Sequence, residues 1–245
     1  DARPVAIARF GGAATPDPLF AFVPERRTLK EPYDIARPVP ETALAAIRDA
    51  VRGAEVGTTA DAEEVAFFRE LSHEALRIEV ETPHTYKESV DLFRIGRAEV
   101  DANPDGIDFT GPLFEGLHLA GLMTRDAALD TSNPVYTQGL AAVFANTDTA
   151  MAHVWLVTPG NTRDEQIATG ADWVRLNLAA TAQGVGIQPL SQALQEYTEM
   201  ADIYAAIHER LAPTGGTVQM FARLGYGPEV APSPRWPVEA KIRSA

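Results

Sequence analysis

The sequence contains no cysteine, and this absence excludes several kinds of site at once. Disulfides, thiolate nucleophiles, cysteine-ligated zinc and iron–sulfur clusters all need a thiol that this chain does not have. Basic residues are also scarce, because 21 Lys and Arg stand against 34 Asp and Glu and leave a net charge of −13. Such an acidic surface repels a phosphate backbone, so we do not expect a nucleic-acid partner.

Long apolar runs are missing too, since no segment approaches the roughly 20 consecutive apolar residues that a membrane helix needs. The pair Arg26 and Arg27 superficially resembles a twin-arginine export signal, but polar, turn-forming residues follow at 31–34, where such a signal is apolar. We therefore predict no contact with a membrane. With 245 residues and 45% hydrophobic composition, the chain can bury roughly 70 to 75% of its unfolded surface.

Familiar catalytic signatures are absent as well. The sequence has no Gly-x-Ser-x-Gly elbow, no phosphate-binding P-loop and no His-Glu-x-x-His helix. A partial dinucleotide fingerprint at residues 184–186 has Pro189 where its third glycine belongs. The histidines lie without the spacing of metal ligands: His73, His84, His118, His153 and His208. We predict no metal site and assign no catalytic residue.

Hydrophobic periodicity predicts helices through much of the first half. One helix with Leu44 and Ile47 on its inner face stops near Gly53, and a longer one runs from residue 60 to about 80 with Phe67 and Phe68 in its apolar stripe. The other predicted elements are a strand over residues 5–10, a helix from Tyr86 with Val90 and Phe93 facing inward, a loop over 105–112, and a helix carrying Leu113, Leu117 and Ala120. The loop is either a functional flap or a structural crossover.

The second half is predicted to alternate between strands and helices. The apolar run at 151–157 is typical of a buried strand. Thr162 and Glu165 have the spacing of a capping box and start a helix that ends before Gly184. Its predicted inner face carries Ile167, Ala171, Val174 and Leu178. A segment at 187–191, a helix over about 197–211 and a strand at 217–224 complete an α+β pattern.

Two basic clusters stand out in this acidic chain. The first is Arg-Arg-Thr-Leu-Lys at residues 26–30, and the second is Arg235 in the proline-rich tail at 231–237. Guanidinium groups beside a hydroxyl suit a phosphate monoester, because bidentate charge-assisted bonds and an O–H donor can share its oxygens. Composition alone leaves the alternative open that these are a solvated arginine pair and a tail clip.

Several motifs occur in a characteristic order. They are Arg-Arg-Thr at 26–28, Pro-Val-Pro at 38–40, the segment 170–185 before Pro-Leu-Ser-Gln at 189–192, and Arg-Leu-Gly-Tyr-Gly-Pro at 223–228 leading to Ser-Pro-Arg-Trp-Pro at 233–237. From about residue 20 to 238 this order resembles the nitroreductase family, and more narrowly its Acg-type branch, whose chains fuse two nitroreductase-like halves. The resemblance implies an α+β sandwich with an antiparallel sheet flanked by helices, and an extra helical insertion or lid at about residues 60–123.

The resemblance also implies an FMN site, with NAD(P)H as transient electron donor. The implied cofactor-binding residues are Arg26, Arg27, Thr28, Lys30, Pro189, Leu190, Ser191, Gln192 and Arg235. The residues at 26–30 would hold the phosphate and ribityl chain, and the tail arginine would close on the phosphate. Backbone N–H groups at 189–192 would meet the isoalloxazine edge near N5.

Three departures from the branch stand out. Trp236 occupies the position of a usual second arginine, and Lys30 replaces an expected arginine. An Ala-Pro-Ser, Asn and Gln-Pro-Trp stretch usual before the double arginine is missing. Because Asp1 reads like the interior of a domain, we expect residues 1–245 to form a nitroreductase-like domain that lacks an N-terminal portion.

Three functions fit these features. The leading hypothesis is an FMN-dependent oxidoreductase that passes reducing equivalents from NAD(P)H to a nitro or quinone-like small molecule. The second is a protein that binds or sequesters FMN behind an occluding lid, and the third is a descendant that kept the fold and lost the cofactor. We expect a homodimer or an intrachain pseudo-dimer completed by a missing segment, in a bacterial cytoplasm or, after signal removal, periplasm.

Overall fold

A computed structural model of the chain describes residues 7, 9, 11–12 and 15–242. The strand expected at residues 5–10 lies outside the described residues, apart from Ile7 and Arg9, which belong to no strand. Among the described residues, no helix combines the length and the apolar composition needed to cross a membrane.

The described part of the chain contains helices and strands in the following order. They are α1 (Glu41–Asp49), β1 (Glu55–Thr59), α2 (Ala62–Glu81), α3 (Pro83–Asp91), β2 (Phe93–Ile95), α4 (Arg97–Ala102), β3 (Ile107–Phe109), α5 (Pro112–Leu119), α6 (Arg125–Leu129), α7 (Pro134–Thr147), β4 (Ala152–Thr158), α8 (Arg163–Ala182), β5 (Gly186–Pro189), α9 (Ala201–Leu211) and β6 (Thr217–Gly225). Short 3-10 turns lie at Pro18–Phe22, Gln192–Leu194, Thr198–Met200 and Val238–Ala240.

A four-stranded antiparallel sheet in the order β1-β4-β6-β5 forms the centre of the molecule. Because side chains alternate along a strand, β4 sends Val154 and Leu156 into one core with α1 and α8. It sends Trp155 and Val157 into a second core with α2 and α9. The predicted α+β sandwich, with an antiparallel sheet flanked by helices, is therefore confirmed.

Helix α8 begins and ends as the sequence predicts, but it buries a different face. The capping box of Thr162 and Glu165 is formed, and Gly184 adopts φ +64° beyond the last turn. Of the four residues predicted to face inward, Leu178 is buried, but the other three are exposed, with Ile167 and Val174 at 42% and 53%. The helix is rotated relative to the prediction because Asp172 is buried instead. Its carboxylate accepts hydrogen bonds from the backbone turn between α1 and β1.

Helix α2 is also confirmed, but only one of its adjacent phenylalanines is buried. Phe68 is fully buried against the sheet, whereas Phe67 is 40% exposed beneath the guanidinium of Arg210. Adjacent helical positions point about 100° apart, so one apolar stripe cannot bury both. Helix α3 starts at Pro83, earlier than predicted, and Phe93 belongs to β2 rather than to a helical face.

Residues 83–147 form a helical region beside the sandwich. The predicted loop at 105–112 contains β3, which pairs in parallel with β2, a non-local contact that local patterning does not reveal. The helix predicted from Leu113, Leu117 and Ala120 is confirmed as α5, although none of the three residues is buried. Helices α4, α6 and α7 were not predicted.

Candidate functional site

The first basic segment lies along the edge of the central sheet. The N–H of Leu29 donates to the carbonyl of Ile187 on edge strand β5 at 3.0 Å. Gly186 and Gly225, which face each other across β5 and β6, leave room for this segment. A Cβ would lie 2.5 Å from a Leu29 methyl at the first glycine and 2.3 Å from the Tyr33 ring at the second. Side chains at these positions would therefore push residues 29–33 off the sheet.

Arg223 on β6 holds the same segment from beneath. Its fully buried guanidinium donates to the carbonyls of Lys30 at 3.0 Å and Glu31 at 2.9 Å. Other N–H groups donate to the Gln188 side chain on β5 at 2.6 Å and to the carbonyl of Asn146 at the end of α7. One side chain thus joins the basic segment, the edge strand and the helical region.

An aromatic ring completes the surroundings of Arg223. The guanidinium carbon lies 4.0 Å from the centre of the Tyr33 ring, in a cation–π contact. Burial lowers the pKa of Arg223, while Tyr33 and Glu31 act in the opposite direction. Burial likewise raises the pKa of the Tyr33 hydroxyl, which donates to the carbonyl of Leu29. Sequence reasoning did not predict that Arg223 joins several segments, although a charged side chain within an apolar strand is a signal of such a role.

The two basic clusters act on each other electrostatically. Burial lowers the pKa of Arg26, and the positive charges of Arg235 and then Arg27 lower it further, so the tail arginine lies within electrostatic range of the first cluster. Within the described part of the chain, none of the three forms an ion pair with a carboxylate. This concentration of positive charge in an acidic protein is a candidate anion site.

The remaining residues of the segment differ in what they offer. Arg27 donates through Nη1 to the carbonyls of Pro24 at 2.7 Å and Arg26 at 2.9 Å, while its buried Nε has no partner among the described residues. Thr28 is half-buried and Lys30 is exposed. An external anion could reach the exposed ammonium group of Lys30 and the partly exposed side chains of Arg26, Arg27 and Thr28, but not this buried Nε.

The turn after β5 contributes fewer backbone donors than its four residues imply. Pro189 has no N–H group, and the N–H of Leu190 donates to the carbonyl of Phe221 at 2.9 Å. The N–H groups of Ser191 and Gln192 have no acceptor among the described residues, as is usual at the start of a helical turn. Only these two can donate to a ligand.

A carboxyl group that sequence reasoning missed lies behind this turn. Glu79 in α2 accepts a hydrogen bond from Ser89 at 3.4 Å, and its other oxygen is buried without a partner among the described residues. Burial raises the pKa of Glu79, although hydrogen bonds from Ser89 and Gln192 oppose this. The hydroxyl of Tyr197 is also buried nearby, and burial raises its pKa as well. Both groups therefore favour their neutral, protonated forms more than they would in water.

The described residues contain no cluster of three or more His, Asp and Glu that could bind a metal ion. The candidate site consists of the arginine cluster and the turn with two N–H donors, with the carboxyl of Glu79 behind the turn. Positive charge and N–H donors suit an anionic ligand.

Sequence comparisons add no assignment: no protein-family profile and no curated protein matches this chain. Solved structures do match it. An FMN and NADPH-dependent nitroreductase, NfnB from Sphigopyxis sp. strain HMH, is 14% identical with a TM-score of 0.52, and the match covers 93% of this chain and 98% of that one.

Two further structures match over similar lengths. The FMN-dependent nitroreductase NfnB from Mycobacterium smegmatis, solved in complex with NADPH, is 16% identical with a TM-score of 0.50, covering 92% of this chain and 97% of that one. A BluB-like flavoprotein from Clostridium difficile 630 is 13% identical with a TM-score of 0.51, covering 94% and 100%. Because identities are this low, the likeness concerns the backbone alone, and the chain has the nitroreductase-like fold.

Proposed function

We propose that this protein is an FMN-dependent oxidoreductase of the Acg-type nitroreductase branch, which passes reducing equivalents from NAD(P)H to a nitro or quinone-like acceptor. The observation that carries the proposal is that the charge of Arg235 acts on Arg26 across the two basic clusters, while Arg26, Arg27 and Arg235 have no acidic partner among the described residues. Two structures with this fold are named as FMN-dependent nitroreductases, one of them bound to NADPH, which supports the choice of cofactor.

The donor set fits FMN. The arginine cluster with Thr28 and Lys30 would hold the phosphate and ribityl chain, because guanidinium forks match phosphate oxygens. The N–H groups of Ser191 and Gln192 would meet the electron-rich edge of the ring. When bound, the flavin supplies the hydride chemistry. This chain's own groups bind it, orient it and, through Glu79, hold a proton nearby.

A homodimer is part of the proposal. Helix α8 exposes Ile167 and Val174 on one side, together with the small residues Ala168, Gly170 and Ala171. An apolar stripe of this kind on a long helix suits the same stripe of a second copy across a twofold axis. The second copy would complete the cofactor site in place of a fused half.

The second candidate function is sequestration of FMN beneath the helical insertion at about residues 60–123. The observation that favours it is a hydrogen bond of 2.7 Å from the indole N–H of Trp236 to Asp105, which joins the tail to the insertion. A lid held down in this way would exclude electron donors and acceptors from the ring.

Cofactor binding is the first test of these proposals. Purified protein mixed with FMN should show a flavin absorption band that survives gel filtration. The paired substitutions Arg26→Ala and Arg235→Ala should raise the dissociation constant for FMN at least tenfold, whereas Arg77→Ala, at an exposed arginine of α2 that pairs with Glu74 and Glu81, should leave it unchanged. A wild-type protein that takes up no FMN contradicts both functions and favours the cofactor-free descendant.

Reduction by NADPH separates the enzyme from the binder. Under anaerobic conditions NADPH should bleach the flavin band of the enzyme within seconds, and a quinone or nitroaromatic should restore it. If the band persists with NADPH while dithionite still bleaches it, the flavin is occluded and the second candidate function stands.

A further inference from the structure

The segment that carries Arg235 has little to hold it in place. We call residues 231–237 the strap. It contains no helix or strand, and in the described part of the chain residues 227–236 make no backbone–backbone hydrogen bond. A segment without such bonds is free to leave the surface unless its side chains anchor it.

The anchor in this structure is Trp236. Its indole N–H donates to one oxygen of the Asp105 carboxylate at 2.7 Å, and Arg94 donates to the other oxygen at 2.8 Å. The ammonium group of Lys241, which follows the strap in sequence, lies 4.5 Å from the centre of the indole ring. An N–H bond to a carboxylate is stronger than one between neutral groups.

The carboxylate that receives this bond is fixed in place. Gly106 adopts φ +72°, and a Cβ at that position would lie 2.3 Å from the carbonyl of Leu92. The same carbonyl accepts the N–H of Ile107 at 2.9 Å, which closes the turn into the β2–β3 pair. Asp105 therefore lies in a tight turn that leads directly into the paired strand β3. Its pKa is lowered by the hydrogen bonds from Trp236 and then Arg94, so it stays ionised.

The anchor restrains Arg235, which directly precedes Trp236 in the strap. The positive charge of Arg235 acts on Arg26 and lowers the pKa of that side chain after burial, so in the absence of an anion the two guanidinium groups repel each other. Trp236 is the next residue, and its bond to Asp105 prevents the strap from moving away. An anion placed between the arginines would turn the repulsion into attraction and would need no further ordering of the strap.

We propose that Trp236, through its hydrogen bond to Asp105, is a positioning residue that holds Arg235 where it binds the phosphate of the cofactor. The inference rests on the proposed FMN site. An anchored arginine loses less conformational freedom on binding than a mobile one, so the anchor should strengthen phosphate binding.

The test compares two flavins that differ only in the phosphate. Trp236→Phe keeps an aromatic ring but removes the N–H donor, and should raise the dissociation constant for FMN about tenfold while leaving that for riboflavin within twofold. Asp105→Ala should do the same. The matched control is Asp108→Ala, an exposed aspartate of β3 that does not contact the strap, and it should bind FMN as the wild type does.

A double variant tests whether both residues act through one bond. Because either substitution breaks the same bond, Trp236→Phe combined with Asp105→Ala should weaken FMN binding no more than threefold beyond either alone. Additive losses, or equal losses for FMN and riboflavin, would overturn the proposal, since they would indicate a structural effect unrelated to the phosphate.

Limited proteolysis of the cofactor-free protein separates this inference from the proposed function. Trypsin should cut after Arg235 at least fivefold faster in Asp105→Ala, whose strap sequence is unchanged, with an unchanged midpoint of urea unfolding. If the wild type binds neither flavin, the proposed function fails, and the cleavage rates still decide whether the anchor exists. An unchanged cleavage rate in the variant refutes the anchor, whichever flavin binds.

Discussion

Arg223 shows at the scale of a residue how one side chain can hold a segment that has no regular structure. Lys30 and Glu31 lie in no helix or strand, yet both carbonyls bind the same buried guanidinium. A lysine ammonium cannot reach several chain segments at once, because it is a compact point charge with no fork. The basic segment therefore depends on the shape of this cation as well as on its charge.

Replacing Arg223 by lysine tests this dependence. We expect Arg223→Lys to lower the free energy of unfolding by about 3 kcal/mol, because buried carbonyls lose their donors. FMN affinity should fall as well, since residues 26–30 would lose their support. Urea unfolding and FMN titration measure the two effects. Arg37→Lys, where the arginine stacks on Tyr226 at the surface, is the control and should cost less than about 1 kcal/mol. Equal unfolding midpoints for the two variants would contradict the expectation.

His153 gives the fold a sensitivity to acid. Its ring stacks on Phe221 at 5.2 Å, and neither ring nitrogen has a partner among the described residues. Burial, followed by the charges of Arg69 and Arg223, lowers the pKa of His153 to about 3 from 6.5. The unfolded chain therefore binds a proton between these values that the folded chain does not, and stability falls as the pH falls from 6.5 towards 3.

The replacement His153→Phe should remove this component. Wild-type protein should lose up to about 1.4 kcal/mol per pH unit below pH 6.5 through this residue. The difference in unfolding free energy between variant and wild type should be constant above pH 7 and should shift in favour of the variant below pH 6. Urea unfolding at several pH values provides the measurement. Parallel stability curves down to pH 4 would show that the buried imidazole does not cause the loss.

At the scale of elements, the turn between α1 and β1 is tied to α8 by one carboxylate. Asp172 accepts the N–H of Arg52 at 2.9 Å and those of Gly53 and Ala54 at 2.8 Å each. Burial by itself raises the pKa of Asp172, but the backbone N–H donors outweigh it, so the pKa lies below its ordinary value. This contribution to stability is full above the unfolded pKa of 3.8 and is lost as the pH falls below it.

Removing the Asp172 carboxylate should weaken the attachment of α8 to the turn between α1 and β1 and lower the free energy of unfolding. We expect Asp172→Ala to cost about 3 kcal/mol, and Asp172→Asn less, because the amide keeps one acceptor oxygen for the turn. Asp164→Ala, an exposed aspartate in the first turn of the same helix, should cost at most about 1 kcal/mol. Thermal and urea unfolding provide the measurement. An alanine variant as stable as the Asp164 control would mean that water replaces the carboxylate.

At the scale of the whole molecule, the exposed stripe of α8 predicts how two copies meet. The substitutions Ile167→Glu and Val174→Glu lie on a face that is exposed in one chain, so they should leave the fold intact. Placed at an interface between copies, the same charges would repel and be desolvated. We expect light scattering to show a dimer for the wild type and a monomer for the double variant, with FMN retained more weakly.

A matched control is available for the dimer. Ile35 is 68% exposed and lies in a turn outside every helix, and Ile35→Glu should leave the molar mass unchanged. A monomeric wild type, or a double variant that stays dimeric, would contradict an interface on this stripe. Either result would mean that the α8 stripe does not complete the cofactor site.

The sequence by itself determined the parts of this protein that depend on neighbouring residues. The capping box at Thr162 and Glu165, the stop at Gly184, the buried strand β4 and the length of α2 follow from hydrogen bonds and periodicity within one turn or strand. The order of the basic motifs also predicted the fold, which the solved structures confirm. These signals are local or depend on order along the chain, so they need no knowledge of distant contacts.

Only the tertiary structure decided which faces and donors are used. The inner face of α8 follows from Asp172 meeting a turn more than a hundred residues earlier in the chain. The N–H of Leu190 donates to a carbonyl of β6 and is therefore not available to a ligand, and the indole N–H of Trp236 donates to Asp105. Each of these contacts joins segments far apart in sequence, and a buried polar group takes whichever partner the packed chain brings to it. Local patterns contain no information about that partner.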